Sequence, residues 1–268
     1  MTWSLEILPK YIHKLHLLPE IVKEVYIALM PGSDNQELVI SSKALIEHGK
    51  IPIPHICARN LESEKELDRL LGGLKEIGVE RALLIGGGAD SSLGPYSCVM
   101  DILKTGLLSK HGFTKFDIAG HPEGNPNDPD ADTSLMGKIE WASSNKFIVR
   151  IVTQWSIDPI AINSWIVRMR KLGIDNPIHI GVAGPAKTKT LLNYAKICGV
   201  KVSLMMLKKQ GFNIMKLFMI GKPDHLVTQL KGYDQLHLFP FGGLMETSKW
   251  LTSINYESLG TEKVIKIP

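Results

Sequence analysis

The chain has 268 residues, 44% of them apolar, with a formal net charge of +4 and a pI near 8.8. This suits one α/β domain with a full core, and the mild positive balance without a dense Lys/Arg block argues against a nucleic-acid partner while suiting an anionic small molecule. Cys57, Cys98 and Cys198 stand far apart, against a disulfide framework or structural zinc, and no apolar run reaches the ~18 residues of a membrane span. The first residues lack the basic, apolar and small-residue succession of a signal peptide, so a cytoplasmic protein without membrane contact is expected.

Eight β-type runs follow in chain order: residues 24–30, Ile51–Cys57, 81–85, 116–119, 147–153, 177–183, 200–204 and Gln235–Phe239. Most are continuous Val/Ile/Leu-rich stretches, the pattern of parallel strands buried on both faces. Helical patterns lie between them. Residues 63–74 open with Ser63 and Glu66 at capping-box spacing. Residues 158–172 place Ile160, Trp165, Ile166 and Met169 near helical spacing, with Gly173 as the stop. Residues 187–197 turn Leu191, Leu192 and Ala195 inward, with Gly199 as the stop. The Lys208-Lys209 cluster with Lys201 reads as a solvated helix face.

Alternating β and α segments predict a parallel α/β fold, and eight β runs predict one closed (β/α)8 TIM barrel over residues 1–268. A doubly wound open sheet would expect a glycine-rich turn after its first strand, where this chain has Met30-Pro31-Gly32. Residues 120–133, rich in Pro, Gly, Asp and Asn, read as a long loop after the run at 116–119.

Barrel chemistry sits on the loops that follow the strands, so polar strand ends are the functional candidates. Gly86-Gly87-Gly88-Ala89-Asp90 allows close approach of a ligand to the backbone, and its N–H groups can cup an anion. Asp90 can accept two hydrogen bonds from an amino-pyrimidine edge, and Gln154 can donate to and accept from one heterocycle at once. His121 and Glu123 form a candidate proton-transfer pair on a segment stiffened by Pro122 and Pro126. His55 is either a core histidine or a ligand contact, Arg59 suits a carboxylate or phosphate, and Cys57 reads as a small apolar filler. The spread of His55, His121 and His179 does not bring carboxylates with it convincingly, so no metal is expected. Phe239, Phe241 and Trp155 are stacking candidates, and Gly242-Gly243 opens a turn suited to an anion.

These segments, in order, resemble the methylenetetrahydrofolate reductase family from about Val25 to about Trp250. The carriers are His55-Ile56-Cys57-Ala58-Arg59-Asn60, Ala119-Gly120-His121-Pro122-Glu123-Gly124-Asn125-Pro126, Thr153-Gln154-Trp155-Ser156-Ile157-Asp158 and Pro177-Ile178-His179-Ile180-Gly181-Val182. The resemblance implies a flavin-dependent (β/α)8 barrel that interconverts 5,10-methylenetetrahydrofolate and 5-methyltetrahydrofolate, with FAD and NAD(P)H as cofactors, in one-carbon metabolism and methionine biosynthesis. By position it implies that Asp90 and Gln154 hold the pterin; the strand-end reading adds His55 and Phe239 as substrate contacts, each with a core role as its alternative. Asp90, Glu123 and His121 become the catalytic candidates, and Gly88, Tyr96, His121, Asp132 and Lys138 the cofactor contacts, Lys138 near the phosphates.

The chain also departs from the family. Taking residues 24–30 as the first strand, Ala28 stands where the family has a Glu that supplies a proton to the folate. Gly87-Gly88-Ala89-Asp90 replaces an Arg-Gly-Asp, and His121 and Asn125 stand for a Tyr and a His. The partner expected is a tetrahydrofolate derivative, and a homo-oligomer is compatible with the sequence. An alternative follows from Ala28: a folate-binding barrel without reductase activity, serving a methyltransferase or demethylase partner.

Overall fold

Parallel strands alternate with helices and close on themselves. The computed structural model describes residues 3–198 and 223–254. The strands are β1 (Trp3–Ile7), β2 (Val22–Ile27), β3 (Ile51–Cys57), β4 (Leu83–Ile85), β5 (Lys115–Gly120), β6 (Ile148–Thr153), β7 (Ile178–Ala183) and β8 (Gln235–Phe239). They pair in sequence order, and β8 returns to pair with β1, so the barrel expectation is borne out.

Its strand membership differs from the expectation. The run at 200–204 lies outside the described residues, as do Gly199, Lys201, Lys208 and Lys209. β7 pairs directly with β8 from His179↔Gln235 to Ala183↔Phe239. The remaining strand is β1, which the sequence pattern concealed. Trp3, Leu5 and Ile7 face the helices in the main core, while Ser4 and Glu6 point into the barrel. This strict alternation is not the continuous apolar run expected of a parallel strand. The strand expected at 24–30 is therefore the second in the barrel, and it ends at Ile27.

Helices cover the outside: α1 (Gln36–Glu47), α2 (Glu64–Glu76), α3 (Val99–Lys104), α4 (Leu107–Lys110), α5 (Ala131–Ser144), α6 (Pro159–Lys171), α7 (Thr188–Ile197), α8 (Asp224–Val227) and α9 (Leu244–Ser253). The Ser63 side chain accepts from the Glu66 N–H at 3.2 Å, as its spacing predicts. Glu66 in turn accepts from the Glu62 N–H and from Asn35 Nδ2, tying the start of α2 to that of α1. In α6, Trp165, Ile166 and Met169 are buried as expected, but Ile160 is 72% exposed and Ile162 takes its inward place. Asp158 causes this offset: it caps the helix by accepting from the N–H groups of Ile160 and Ala161, which sets Ile160 in the first turn facing solvent. The expected loop at 120–133 ends sooner, because α5 starts at Ala131. No described helix is long and apolar enough to cross a membrane.

The barrel interior is layered. Tyr26, Ile53, Leu83 and Val152 make an apolar middle. Below them, toward the strand starts, Arg150 donates to Asp117 at 2.8 and 2.9 Å, to Glu24 at 2.7 Å and to the Tyr26 hydroxyl at 3.1 Å. Asp117 also accepts from Arg81 at 2.7 Å and from Tyr26 at 2.6 Å. Burial raises the Asp117 carboxyl, but Arg150, Arg81 and Tyr26 outweigh it, and the net value lies below the ordinary 3.8.

Asp117→Asn leaves two buried guanidinium groups short of charge, so a loss of about 3–5 kcal/mol in urea unfolding is expected. The depressed carboxyl contributes stability above its unfolded value of 3.8, lost as pH falls through the lower folded value. The wild type should therefore lose stability on acidification below that point, and the variant should show a flatter profile there.

Candidate active site

The loops at the strand ends form the mouth. After β3, Cys57 leads into a 3-10 turn, Ala58–Asn60. The Arg59 backbone N–H donates to Gly86 O, and its side chain donates to Ala89 O at 2.8 Å. A Cβ on Gly86 would lie 3.0 Å from the Arg59 guanidinium, and one on Gly87 3.2 Å from Cys57 Cβ. Gly87 also has a φ of +94°. The first two glycines thus serve the packing of Arg59 and Cys57, while Gly88 and Asp90 are exposed beyond them. Burial raises the Cys57 thiol to about 12, which keeps it a neutral filler.

After β5, Gly120 lies against Trp165: an added Cβ would meet it at 2.8 Å. His121 follows, half-buried, and burial together with the Lys138 ammonium pushes its imidazole down to about 4 against the opposing pull of Asp128 and Asp132. Burial also lowers Lys138. Glu123 accepts a very short hydrogen bond from the Ser156 hydroxyl on the neighbouring loop. The residues expected to act as one pair therefore face different neighbours.

Asp132 accepts from Trp165 Nε1 at 2.9 Å and from Arg168 at 2.7 and 3.0 Å, joining α5 to α6. A cavity of about 300 Å³ lies here, lined by His121, Gly124, Asp130, Asp132 and Arg168 among others. Tyr96 is buried before α3, its hydroxyl without a hydrogen-bond partner among the described residues.

Gln154 ends β6. Its backbone N–H donates to Gly120 O at 2.8 Å, and its side-chain oxygen accepts from the Trp155 N–H at 3.0 Å, leaving its NH₂ donor free of described contacts. Phe239, 9% exposed at the end of β8, belongs to a small apolar cluster with Trp155, Ala183, Leu191 and Ala195. Phe241 stacks on Tyr194 at 4.1 Å and meets Trp155 edge-on at 5.1 Å. A Cβ on Gly242 would collide with Pro185 O, so this glycine packs one mouth loop against another.

The main residue that sequence reading missed is Glu6. It is the last inward side chain of β1, 23% exposed toward the mouth. His55 Nε2 stands 3.7 Å from its carboxylate and His237 Nε2 stands 4.0 Å away. Ser4 Oγ lies 3.0 Å from His237 Nδ1. Burial raises the Glu6 carboxyl, but His237 and His55 hold it below its ordinary value. Burial lowers His55 and keeps its imidazole neutral at pH 7. The polar members of the alternating Trp3-Ser4-Leu5-Glu6-Ile7 were the signal that could have marked this strand. The assignment of the first strand's acid position to Ala28 is thereby corrected: Ala28 follows β2, and the first strand carries Glu6. His179 points into the barrel from β7, and burial with Arg150 pushes it down to about 3. Among the described residues no three His, Cys, Asp or Glu groups converge as metal ligands.

No family model matches the chain. A curated relative, methylenetetrahydrofolate reductase (NADH) 1 of Arabidopsis thaliana, is 26% identical over 164 residues, covering 55% of this chain and 27% of the reductase. The chain thus matches about a quarter of that relative's length. Among solved structures, an uncharacterized protein from Clostridium thermocellum that binds two copies of 5-methyl-5,6,7,8-tetrahydrofolic acid superposes with a TM-score of 0.62 at 13% identity, covering 92% of both chains. The dihydropteroate synthase of Thermus thermophilus reaches a TM-score of 0.47 at 10% identity, over 95% of this chain and 93% of its own. The resemblance to the methylenetetrahydrofolate reductase family is borne out, as a divergent one.

Gly181 offers a test of the mouth's construction. A Cβ there would lie 2.4 Å from Thr153 O and 2.8 Å from Trp155 N, the atoms that flank Gln154. Gly181→Ala is expected to push this loop outward and weaken binding of a mouth ligand at least tenfold, with far-UV circular dichroism unchanged; calorimetric titration measures the first.

Proposed function

We propose that this barrel binds a reduced folate across its mouth and interconverts 5,10-methylenetetrahydrofolate and 5-methyltetrahydrofolate. The observation that carries the reading is Glu6, a carboxyl at the inward end of the first strand, set among the strand-end motifs that resemble the reductase family. The folate bound by the Clostridium thermocellum protein of the same fold supports the ligand class.

The pterin's adjacent N–H donors suit the exposed Asp90 carboxylate, and the amide donor of Gln154, without a contact among the described residues, suits a ring acceptor. His55 and Phe239 complete the wall. Opening the methylene bridge leaves N10 as an amine and takes up one proton; the reverse direction releases it. Glu6 is the group we assign to carry that proton. Covering its remaining exposed surface with the ring removes water and raises its affinity for the proton, as the forward step requires. Glu123, held by Ser156, and His121 shape the neighbouring loop. The binding-only reading drew on alanine at position 28, which follows the second strand, and the turnover measurement below separates it from the reductase reading.

The cofactors are part of the proposal. The Tyr96 hydroxyl, without a hydrogen-bond partner among the described residues, and the half-buried Lys138 ammonium are groups that a phosphate-bearing cofactor would satisfy, which fits FAD. Tyr96, His121, Lys138 and the open backbone at Gly88 would hold it, and Asp132 fixes the wall through Trp165 and Arg168. The chemistry such a flavin would supply is hydride relay between NAD(P)H and the folate. We place the protein in the cytoplasm, in one-carbon metabolism serving methionine biosynthesis.

Glu6→Gln should keep tetrahydrofolate affinity within about threefold while turnover of methylenetetrahydrofolate with NAD(P)H falls roughly 10²–10⁴-fold. Asp90→Ala and Gln154→Ala should each weaken folate binding about tenfold, in line with loss of one strong hydrogen bond. Tight folate binding by a wild type without turnover would assign the chain to a binding role, and no folate binding would end the proposal. The visible spectrum of the purified protein tests FAD directly.

A further inference from the structure

Three observations converge on one side chain that the proposed chemistry does not use. His237 is 1% exposed, so no ligand in the mouth touches it. Its Nδ1 lies 3.0 Å from the Ser4 hydroxyl, and its Nε2 faces the Glu6 carboxylate at 4.0 Å. Tyr26 from β2 packs edge-on against its ring at 4.5 Å, and Phe239 does so at 5.0 Å, which leaves the imidazole little freedom to rotate.

A carboxylate can only accept, so the nitrogen turned toward Glu6 is the one that carries the proton. Nδ1 then holds the lone pair, and Ser4 donates to it. We infer that Ser4 and His237 are positioning residues that fix one imidazole tautomer and aim its Nε2–H at Glu6, tuning the proton affinity of that carboxyl. The inference rests on the proposed role of Glu6 only in its functional arm. The 4.0 Å separation is longer than a hydrogen bond, and such contacts tighten when a ligand fills the site.

Other charges and titrating groups face this assembly. His55 and Cys57 on β3 and Cys198 after α7 interact with Glu6, Asp117 on β5 acts on His55, and His179 on β7 interacts with His237. Burial keeps His55 neutral, and its Nε2 has no hydrogen-bond partner among the described residues. His237 therefore differs from its neighbour in having both ring nitrogens directed at named groups.

The tautomer is measurable without turnover. Long-range ¹H–¹⁵N correlation spectra of the full chain with ¹⁵N-labelled histidine should show His237 protonated at Nε2, and Ser4→Ala should convert this signal to a mixture. A wild-type Nδ1–H tautomer, or one unmoved by Ser4→Ala, overturns the inference whether or not the protein turns over folate. In the functional arm, His237→Gln should cut turnover roughly tenfold or more, with KM for the folate within about twofold. Because His237 lowers the Glu6 carboxyl, its removal should move the Glu6 limb of the rate profile to higher pH. Ser4→Thr, which keeps the hydroxyl, should retain the wild-type limb. Equal losses at every pH in the Ser4→Ala and His237→Gln variants would reduce the pair to a structural role and overturn the tuning claim.

Discussion

The buried guanidinium of Arg150 sets the terms for the inside of this barrel. A charge there is tolerable only if partners on other strands meet it, and Asp117 from β5 and Glu24 from β2 do so. Those contacts hold three strands in phase. Because side chains alternate along a strand, choosing Arg150, Asp117 and Glu24 as inward also chooses Val152, Ala119 and Tyr26 one layer up. The mouth residues that follow inherit that phase: Gln154 after Val152, and His121 after Ala119. A register slip on any of these strands would turn the mouth residues toward the helices and strand a charge in the core.

The layer above the apolar middle holds a different kind of polarity. Around Glu6 the groups are few and loosely paired, and Glu6 itself is partly exposed. At the floor Arg150 and Asp117 each make several hydrogen bonds of 3.1 Å or less, and Arg81 and Glu24 each make one of 2.7 Å. The floor is therefore built to stay as it is, while the group near Glu6 has slack: distances of 3.7 and 4.0 Å that a ligand can shorten. One barrel thus carries an ionic base and a more loosely paired polar top, separated by Tyr26, whose hydroxyl serves the former and whose ring touches the latter.

Much of this was legible in the residues. Continuous apolar runs marked strands β2 to β8, and Ser63 and Asp158 marked helix starts that the structure places within a residue of expectation. Strand ends marked where Asp90, His121, Gln154 and Phe239 would lie. What escaped has a common cause. A strand reads as apolar only when its inward face is apolar, and β1 turns Ser4 and Glu6 inward. Losing it displaced the strand count and sent the acid position to Ala28. The same logic hid His237 inside a run read as core. Pairings across loops were also beyond reach, since nothing local joins Glu123 to Ser156 or Asp132 to Arg168. The glycines after β4 promised a ligand cradle, yet two of them make room for Arg59 and Cys57.

The contact between Ser4 and His237 spans 233 positions. Parallel closure across such a separation is slow to form. Until the intervening residues are made, the nascent chain carries an acid-bearing segment with no neighbour on its open edge. The surroundings of Glu6 are consequently completed in a single late event, when β8 docks against β1.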